Sequence, residues 1–208
     1  MRKIVKLLLI SALLLSRTSP LNASNVIPIN WTNQSVLLDG QCEDDEWRDA
    51  TKIRLPAQAS IYLLHDRDSF YICAKGIKGD TTVLDLYIEN TQTGHLHKFH
   101  LSAQMGEQIK TEKGWQKTGS WKLNNWTGFW VPYFGYEETE EGKRPKFFRG
   151  LHRQVQILRK KFPGDQWNIM FGVHIKRNGE WTEYSYPEKA SAEEKSTWGS
   201  FSFSKKDG

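Results

Sequence analysis

This chain has few cysteines, no long apolar run beyond its first 15 residues and none of the common catalytic motifs. Without such a run we expect no membrane-spanning segment in the rest of the chain. The motifs G-x-S-x-G and H-E-x-x-H, a glycine-rich phosphate loop and the strand-borne E-x-D-x-E pair of sandwich-fold glycosidases are missing. We therefore expect a protein that is not an enzyme. Carboxylates paired from distant segments would leave a glycan-active enzyme as an alternative.

Residues 1–24 have the features of a secretory signal peptide. Three basic residues within the first six precede an apolar run over residues 7–15, which is too short to span a bilayer. Ala23 and Ser24 offer a cleavage site, and no cysteine follows where a lipoprotein anchor would need one. We expect residues 25–208 to be the mature protein, exported to the periplasm or outside the cell.

Most of the net positive charge belongs to this leader. Its four basic residues, subtracted from a total of 29, leave 25 basic residues against 24 acidic ones. A mature chain so close to neutral gives no electrostatic reason to expect nucleic acid as a partner. Roughly 180 residues remain, enough for one domain with a substantial core.

The cysteines Cys42 and Cys73 leave two alternatives open. In an exported chain they could form a disulfide. They could equally be two buried thiols at small apolar positions, because the sequence does not fix the distance between their Cα atoms.

Short runs rich in β-branched and aromatic residues, broken by Gly, Pro, Asn and Asp, dominate the chain from residue 30 onward. The predicted strands cover residues 35–38, 52–55, 59–64, 70–76, 83–89, 95–102, 128–134, 147–156, 167–176, 181–185 and 198–204. So many short strands at close spacing predict an all-β fold. We expect residues 25–208 to form a single domain, an antiparallel two-sheet β-sandwich.

Three segments are less regular. Residues 151–162 combine the spacing of a helix face with the alternation of a strand, and we interpret them as a strand. Residues 187–196 are polar and could form a short surface helix. Residues 137–144 are highly charged and predict a solvated hairpin loop with a glycine in its turn.

Residues 38–50, LDGQCEDDEWRDA, combine an Asp-Gly turn, an acidic cluster and a tryptophan that would plug the end of a sandwich. Three later pieces follow in order: DSFYICA, then LDLYIEN with the hairpin HLHKFHLSA, then closing strands that begin near Trp167 and Trp198. Together they resemble the family 9 carbohydrate-binding modules and their DOMON-like relatives over nearly all of the mature chain. The resemblance implies a β-sandwich that binds saccharides without catalysis, and a structural calcium ion would suit such a module.

Two features depart from the pattern of that family. Cys42 stands where these modules commonly have an aliphatic residue, which indicates a buried position and slightly favours a free thiol. The aromatic stretch at residues 114–136 aligns with none of the ligand-site motifs of the family. No sugar-contacting residue is therefore carried over from the resemblance.

This aromatic stretch, GWQKTGSWKLNNWTGFWVPYFGY, holds four of the 9 tryptophans. Flat rings stack on the apolar faces of sugars while neighbouring amides hydrogen-bond the hydroxyls. The candidate ligand-binding residues are Trp121, Asn124, Asn125, Trp126 and Trp130. In an extended strand the even spacing of Trp126 and Trp130 would place both rings on one face. The alternative is that two or three of these rings are core, because a sandwich of this size needs large apolar side chains.

Four tryptophans other than the candidate ligand-binding ones divide in the same way. We assign Trp47 and Trp198 to the core. Trp115 and Trp181 stand beside glycine or polar residues, and we expect their rings to be exposed.

Metal ligands are few in this sequence. His95, His97 and His100 form HLHKFH, where two histidines share one strand face, but no cysteine or carboxylate stands beside them to complete a site. The acidic run at residues 43–46 could hold calcium or could be a solvated loop, since the alternating oxygen spacing of a dedicated calcium loop is missing. We expect no cofactor beyond such a structural calcium, and the metal-binding residues stay unknown.

The sequence thus predicts an exported, non-catalytic carbohydrate-binding protein that recognises an oligo- or polysaccharide through tryptophan stacking. The alternative from another class is a structural or interaction domain of the cell envelope, with the aromatic stretch in its core. A haem-binding relative would need Met and His side chains facing one pocket, and the sequence brings no such pair together.

Overall fold

The structure, a computed structural model, describes residues 25–42, 45–116, 127–131, 134–147 and 150–203. Among these residues, three short 3-10 helices lie at Pro56–Gln58, Arg159–Lys161 and Lys195–Thr197. The strands are β1 (Ile27–Trp31), β2 (Thr51–Arg54), β3 (Ser60–His65), β4 (Ser69–Lys75), β5 (Thr81–Glu89), β6 (Leu96–Leu101), β7 (Met105–Thr111), β8 (Gly114–Trp115), β9 (Gly128–Val131), β10 (Phe134–Thr139), β11 (Gly142–Phe147), β12 (His152–Leu158), β13 (Gln166–Arg177), β14 (Glu180–Tyr186) and β15 (Gly199–Phe203).

The strands form two sheets of a sandwich. Sheet 1 has the order β8-β7-β6-β5-β13-β15, and β14 pairs with the second half of β13. Sheet 2 has the order β3-β4-β12-β9, and β2 pairs with β3. β1 joins the sheets, because its first three residues run parallel to β15 and its last two run parallel to β3. β10 and β11 form a separate hairpin. The predicted all-β sandwich is confirmed.

Alternation along the strands builds the core between the sheets. Leu84, Leu86 and Ile88 of β5 are all fully buried in it. The rings of Phe70, Trp167 and Phe203 meet edge to face. The Phe70 centroid lies 5.7 Å from each of the other two, which are 4.5 Å apart. This arrangement suits the quadrupoles of the rings as well as filling the space. The predictions that place Trp47 and Trp198 inside are confirmed, since they are 2% and 8% exposed.

Residues 32–42 and 45–50 cover the outer face of sheet 2. Trp47 packs there with Tyr62 of β3 and Tyr71 of β4. Cys42 and Cys73 form a disulfide with their Cα atoms 6.1 Å apart, a normal span for such a bond. The preference for free thiols was therefore wrong. Burial at Cys42, which suggested a thiol, comes instead from the packing of this loop onto β4.

Gln154 of β12 fixes the same loop through its side-chain amide. Its Oε1 accepts a hydrogen bond from the Gly40 backbone N–H at 2.8 Å, and its Nε2 donates to the Leu37 carbonyl oxygen at 2.7 Å. Gln154 is 1% exposed. One amide thus satisfies two backbone groups that pair with no strand.

Several predictions of local structure are wrong. Residues 35–38 form no strand, because side chains take up the polar groups of Leu37: Glu46 accepts from its N–H and Gln154 donates to its carbonyl oxygen. The hairpin predicted at residues 137–144 is present with Gly142 directly after its turn, but most of these residues are strand and not loop, since β10 and β11 continue to within two residues of each other. Residues 187–196 contain turns and the bridge between Ser191 and Glu194, and their helical part is limited to the start of the 3-10 turn Lys195–Thr197.

Other predictions are confirmed or were incomplete. The interpretation of residues 151–162 as a strand is confirmed by β12, which ends in a 3-10 turn. β1 and β7 were missed, because IPINW contains a proline and MGEQIKT is largely polar. Among the described residues, no helix has the length and apolar character needed to cross a membrane.

Candidate functional site

The ligand-binding residues predicted from the aromatic stretch fall mainly outside the described residues. Trp121, Asn124, Asn125 and Trp126 are among the residues that the structure leaves undescribed. Trp130 lies in β9 opposite Val155 of β12, and its side chain is likewise outside the described part. The platform at residues 121–130 therefore stays a prediction.

The outer face of sheet 1, which is turned away from sheet 2, carries a different cluster. Here one cross-strand row runs from His100 on β6 through Asp85 on β5 and Gly172 on β13 to Ser185 on β14. His100 and Asp85 each stand between residues that point into the core, so alternation turns their side chains outward. Gly172 has no side chain, which leaves a gap in the row beside Asp85.

Asp85 is the centre of this cluster. Its Oδ1 lies 2.6 Å from His100 Nδ1, and its Oδ2 lies 2.9 Å from Lys98 Nζ and 3.3 Å from His174 Nε2. Asp85 itself is 6% exposed. The side chains of Lys98, His100 and His174 are 23%, 27% and 28% exposed, respectively, so they reach from the buried carboxylate to solvent.

The electrostatics of the cluster favour its charged form. Burial alone would raise the pKa of Asp85, but hydrogen bonds from the two histidines and the charge of the lysine outweigh burial and hold that pKa well below its ordinary value. The hydrogen bond to Asp85 raises the pKa of His174, against the effect of burial. Burial would lower the pKa of Lys98, yet the Asp85 carboxylate raises it. Asp85 is therefore an ionised acceptor that orients three donors.

Aromatic rings border the cluster on one side. Tyr87, the next outward residue of β5, has its ring centroid 6.1 Å from that of Trp115 and 5.9 Å from that of Trp198. Lys98 Nζ lies 5.4 Å from the Tyr87 centroid, within the range of a cation–π contact. Because Trp198 also packs on Met170, the segment before β15 covers this part of the sheet.

An exposed ring lies on the other side. Trp181 of β14 is 52% exposed and stands opposite Lys176, whose Nζ lies 5.8 Å from the ring centroid. It is on the same face as Glu183 and Ser185, which follow it at even spacing in β14. Four residues of strand separate Trp181 from the row of Asp85, about 13 Å. The exposure expected for Trp181 is confirmed, whereas Trp115 is only half-buried.

The three histidines of HLHKFH do not form one site. His97 points into the sandwich, where its Nδ1 lies 2.6 Å from Glu107 Oε1, while His100 points outward to Asp85. Among the described residues, no group of three or more His, Cys, Asp or Glu side chains is arranged to hold a metal ion. In the acidic run, Glu43 and Asp44 are outside the described part, Asp45 pairs with Arg48, and Glu46 accepts from Trp47 Nε1.

Comparison with known proteins gives structural relatives only. No family model matches the chain, and no curated protein matches it. A family 9 carbohydrate-binding module from Caldicellulosiruptor kristjanssonii, solved with cellotriose, superimposes with a TM-score of 0.53 at 10% identity, over 87% of this chain and 94% of that one. A family 9 module from the same organism, solved with glucose, gives a TM-score of 0.51 at 12% identity, over 86% and 97%. The chain has the fold of a family 9 carbohydrate-binding module.

Within this family 9 fold, sequence reasoning missed the cluster around Asp85. A signal was present, because an aspartate in the middle of the apolar strand VLDLYIE must be paired if it is buried. The alternation in HLHKFH also puts Lys98 and His100 on one face. The contribution of His174 depends on the pairing of β13 with β5, which no local pattern reveals.

Proposed function

We propose that this protein is an exported, non-catalytic carbohydrate-binding protein that holds its saccharide on the outer face of sheet 1. The observation that carries the proposal is the buried, ionised Asp85, which orients the donors of Lys98, His100 and His174 at a surface beside Gly172. Sugar hydroxyls need fixed donors and acceptors, and a preorganised cluster supplies them without further ordering on binding.

Aromatic stacking would complete this site. Trp181 is the exposed ring on this face, and Trp115 is the half-buried one. Ring faces that remain accessible gain from contact with the apolar faces of sugars. The platform of Trp121, Asn124, Asn125, Trp126 and Trp130 is the competing proposal for where stacking occurs, and the same experiment separates the two.

Binding suits the cluster better than glycoside hydrolysis. Hydrolysis needs one carboxylic acid that keeps its proton near neutral pH. Asp85 has the opposite property, because its three partners lower its pKa. The structures with which the chain shares its fold are of binding modules in complex with cellotriose and glucose. These points support a non-catalytic role.

Export is supported by two features of the chain. The first 24 residues have the composition of a signal peptide. The pairing of Cys42 with Cys73 suits an oxidising compartment, where a structural disulfide persists. Either the periplasm or the exterior of the cell is consistent with both.

Isothermal titration of the purified protein with glucose, cellotriose and a wider panel of oligosaccharides tests the proposal. We expect at least one saccharide to bind. Lys98→Met should then weaken its binding about tenfold or more, the size of effect that corresponds to about 1.4 kcal/mol. Lys52→Met is the matched control, because Lys52 Nζ also lies over a tyrosine ring, 4.9 Å from the centroid of Tyr62, but on sheet 2.

The variants Trp181→Ala and Trp126→Ala locate the stacking surface. Loss of binding in Trp181→Ala alone supports the outer face of sheet 1, and loss in Trp126→Ala alone supports the platform of the aromatic stretch. If no saccharide on the panel binds, carbohydrate recognition is wrong. If a saccharide binds and Lys98→Met binds it as tightly as the wild type, the site is misplaced.

A further inference from the structure

Arg153 of β12 is a buried cation with little to neutralise it. It alternates with the core residues Val155 and Ile157 and is 7% exposed. Its Nη1 donates to the His152 carbonyl oxygen at 2.7 Å, while its Nε is buried without a hydrogen-bond partner in the described structure. No carboxylate of the described residues forms an ion pair with it.

A second unsatisfied polar group lies on the facing sheet. The hydroxyl Oγ1 of Thr82, on the inward side of β5, is buried and has no hydrogen-bond partner in the described part of the chain. Gly150 connects the two residues. Its carbonyl oxygen accepts the Thr82 backbone N–H at 2.8 Å, and a Cβ on Gly150 would lie 1.7 Å from Arg153 Nη1. The guanidinium therefore occupies the space that the missing side chain leaves.

The neighbour of Arg153 on β4 is small and apolar. Ala74 of β4 stands directly opposite it in the ladder. Burial alone lowers the pKa of Arg153 to about 10, so the guanidinium is still charged at neutral pH. A charge held in an apolar interior needs a counter-charge or several hydrogen bonds. One carbonyl oxygen supplies little of either.

We propose that Arg153 and Thr82 form an internal binding site for a small inorganic anion such as chloride. The guanidinium supplies charge and N–H donors from sheet 2, and the Thr82 hydroxyl supplies an O–H donor from sheet 1. Gly150 leaves room for the guanidinium, and Ala74 opposite Arg153 has a small side chain. An anion there would bridge the two sheets at the end of the sandwich where β12 begins and would stabilise their packing.

Thermal unfolding of the purified protein at constant ionic strength tests this site, with chloride replaced stepwise by the bulky anion gluconate. An anion that binds only the folded state raises the unfolding temperature as its concentration rises. We expect chloride to raise it in the wild type and to have no such effect in Arg153→Met. Arg48→Met is the control, because Arg48 is an exposed arginine that pairs with Asp45, and it should keep the full response.

Thr82→Val keeps the shape of the side chain and removes the hydroxyl, so it serves if Arg153→Met does not fold. We expect this variant to need several-fold more chloride for the same rise in unfolding temperature. A bromide-soaked crystal gives an independent readout, with an anomalous peak expected between Arg153 and Thr82. An equal chloride response in the wild type and in whichever of the two variants folds would overturn the proposal, as would the absence of bromide from this position.

Discussion

Asp85 and Gly172 stand directly opposite each other on β5 and β13, and a Cβ placed on Gly172 would lie 3.5 Å from the Cβ of Asp85 and 3.8 Å from Glu183 Oε1. Both distances are ordinary van der Waals contacts, so a small side chain would fit without moving its neighbours. The fold therefore does not require a glycine at this position for steric reasons. It leaves open the surface next to the carboxylate.

Gly172→Val should consequently separate binding from folding. Valine favours a strand, and its methyl groups would fill the surface beside Asp85. We expect saccharide affinity to fall about tenfold or more while the free energy of unfolding changes by less than about 1 kcal/mol. Titration calorimetry and urea denaturation measure the two quantities on the same sample.

Gly199→Ala is the opposite case and serves as the control. There a Cβ would lie 3.0 Å from Phe201 Cε2 and 3.3 Å from Pro187 Cγ, so packing must shift. We expect this variant to lower the unfolding temperature and leave the affinity of the folded protein unchanged. Equal losses of affinity in both variants would show that Gly172→Val acts through general destabilisation.

Asp85→Asn should lower stability in a way that depends on pH. The substitution removes the charge that Lys98 and His174 face, and breaking such a buried pair costs about 3 kcal/mol. The pKa of Asp85 is lowered in the folded state, so its contribution is present above the unfolded pKa, about 4, and is lost as the pH falls through the folded value. The pKa of His174 is raised, so its contribution is full below about 6.5 and is lost as the pH rises through the folded value.

The stability difference between the wild type and Asp85→Asn should thus be largest between about pH 4 and 6.5 and smaller at pH 9. Urea denaturation of both proteins across this range provides the measurement. Asp45→Asn, at an exposed ion pair with Arg48, should show a small difference at every pH. A difference for Asp85→Asn that stays constant from pH 5 to pH 9 would contradict the role of His174.

The fold could be predicted from the sequence where apolar and polar residues alternate along a strand. The spacing of Leu84, Leu86 and Ile88 alone predicts a strand with one face in the core. β1 could not be found in this way, because its five residues pair in parallel with two different strands, and only the assembled sandwich satisfies them. The same holds for residues 35–38, which are apolar enough for a strand but lie as a loop across sheet 2.

The candidate site was harder to predict from the sequence than the fold, because it depends on how distant strands pair. The sequence prediction placed the site at residues 114–136 because aromatic residues are recognised individually in a sequence, without knowledge of which strands pair. The Asp85 cluster depends on register: Lys98, His100 and His174 come from two strands that meet β5 from opposite sides. A shift of one residue in either pairing would turn these side chains into the core. Pairing between strands distant in sequence is set by the whole sandwich, and no short window contains it.

Reduction of the disulfide between Cys42 and Cys73 should destabilise the protein without affecting the saccharide site. The bond closes a loop over a sequence separation of 31 residues, and cross-links of this length contribute about 3 to 4 kcal/mol. We expect the reducing agent TCEP to lower the unfolding temperature of the wild type but not that of the double variant Cys42→Ser/Cys73→Ser. Calorimetric titration below the transition should give the same affinity in all forms, because the disulfide lies on sheet 2. A wild type that is insensitive to TCEP although mass spectrometry shows both thiols reduced would contradict the structural role.

Gln154→Leu should cost more than the neighbouring substitution Gln156→Leu. The first removes an acceptor for the buried Gly40 N–H and a donor to the carbonyl oxygen of the exposed Leu37, and leaving the one buried backbone group unpaired costs up to about 3 kcal/mol. The second removes one hydrogen bond, from Gln156 Nε2 to Ser69 Oγ, and should cost about 1 kcal/mol. Urea denaturation gives both values. Because Gln154 holds residues 37–40 on sheet 2, hydrogen exchange in Gln154→Leu should quicken there first, while the amides of β5 and β13 keep their protection. Equal costs for the two variants, or exchange that quickens evenly through both sheets, would show that this loop depends on the disulfide and Trp47 rather than on Gln154.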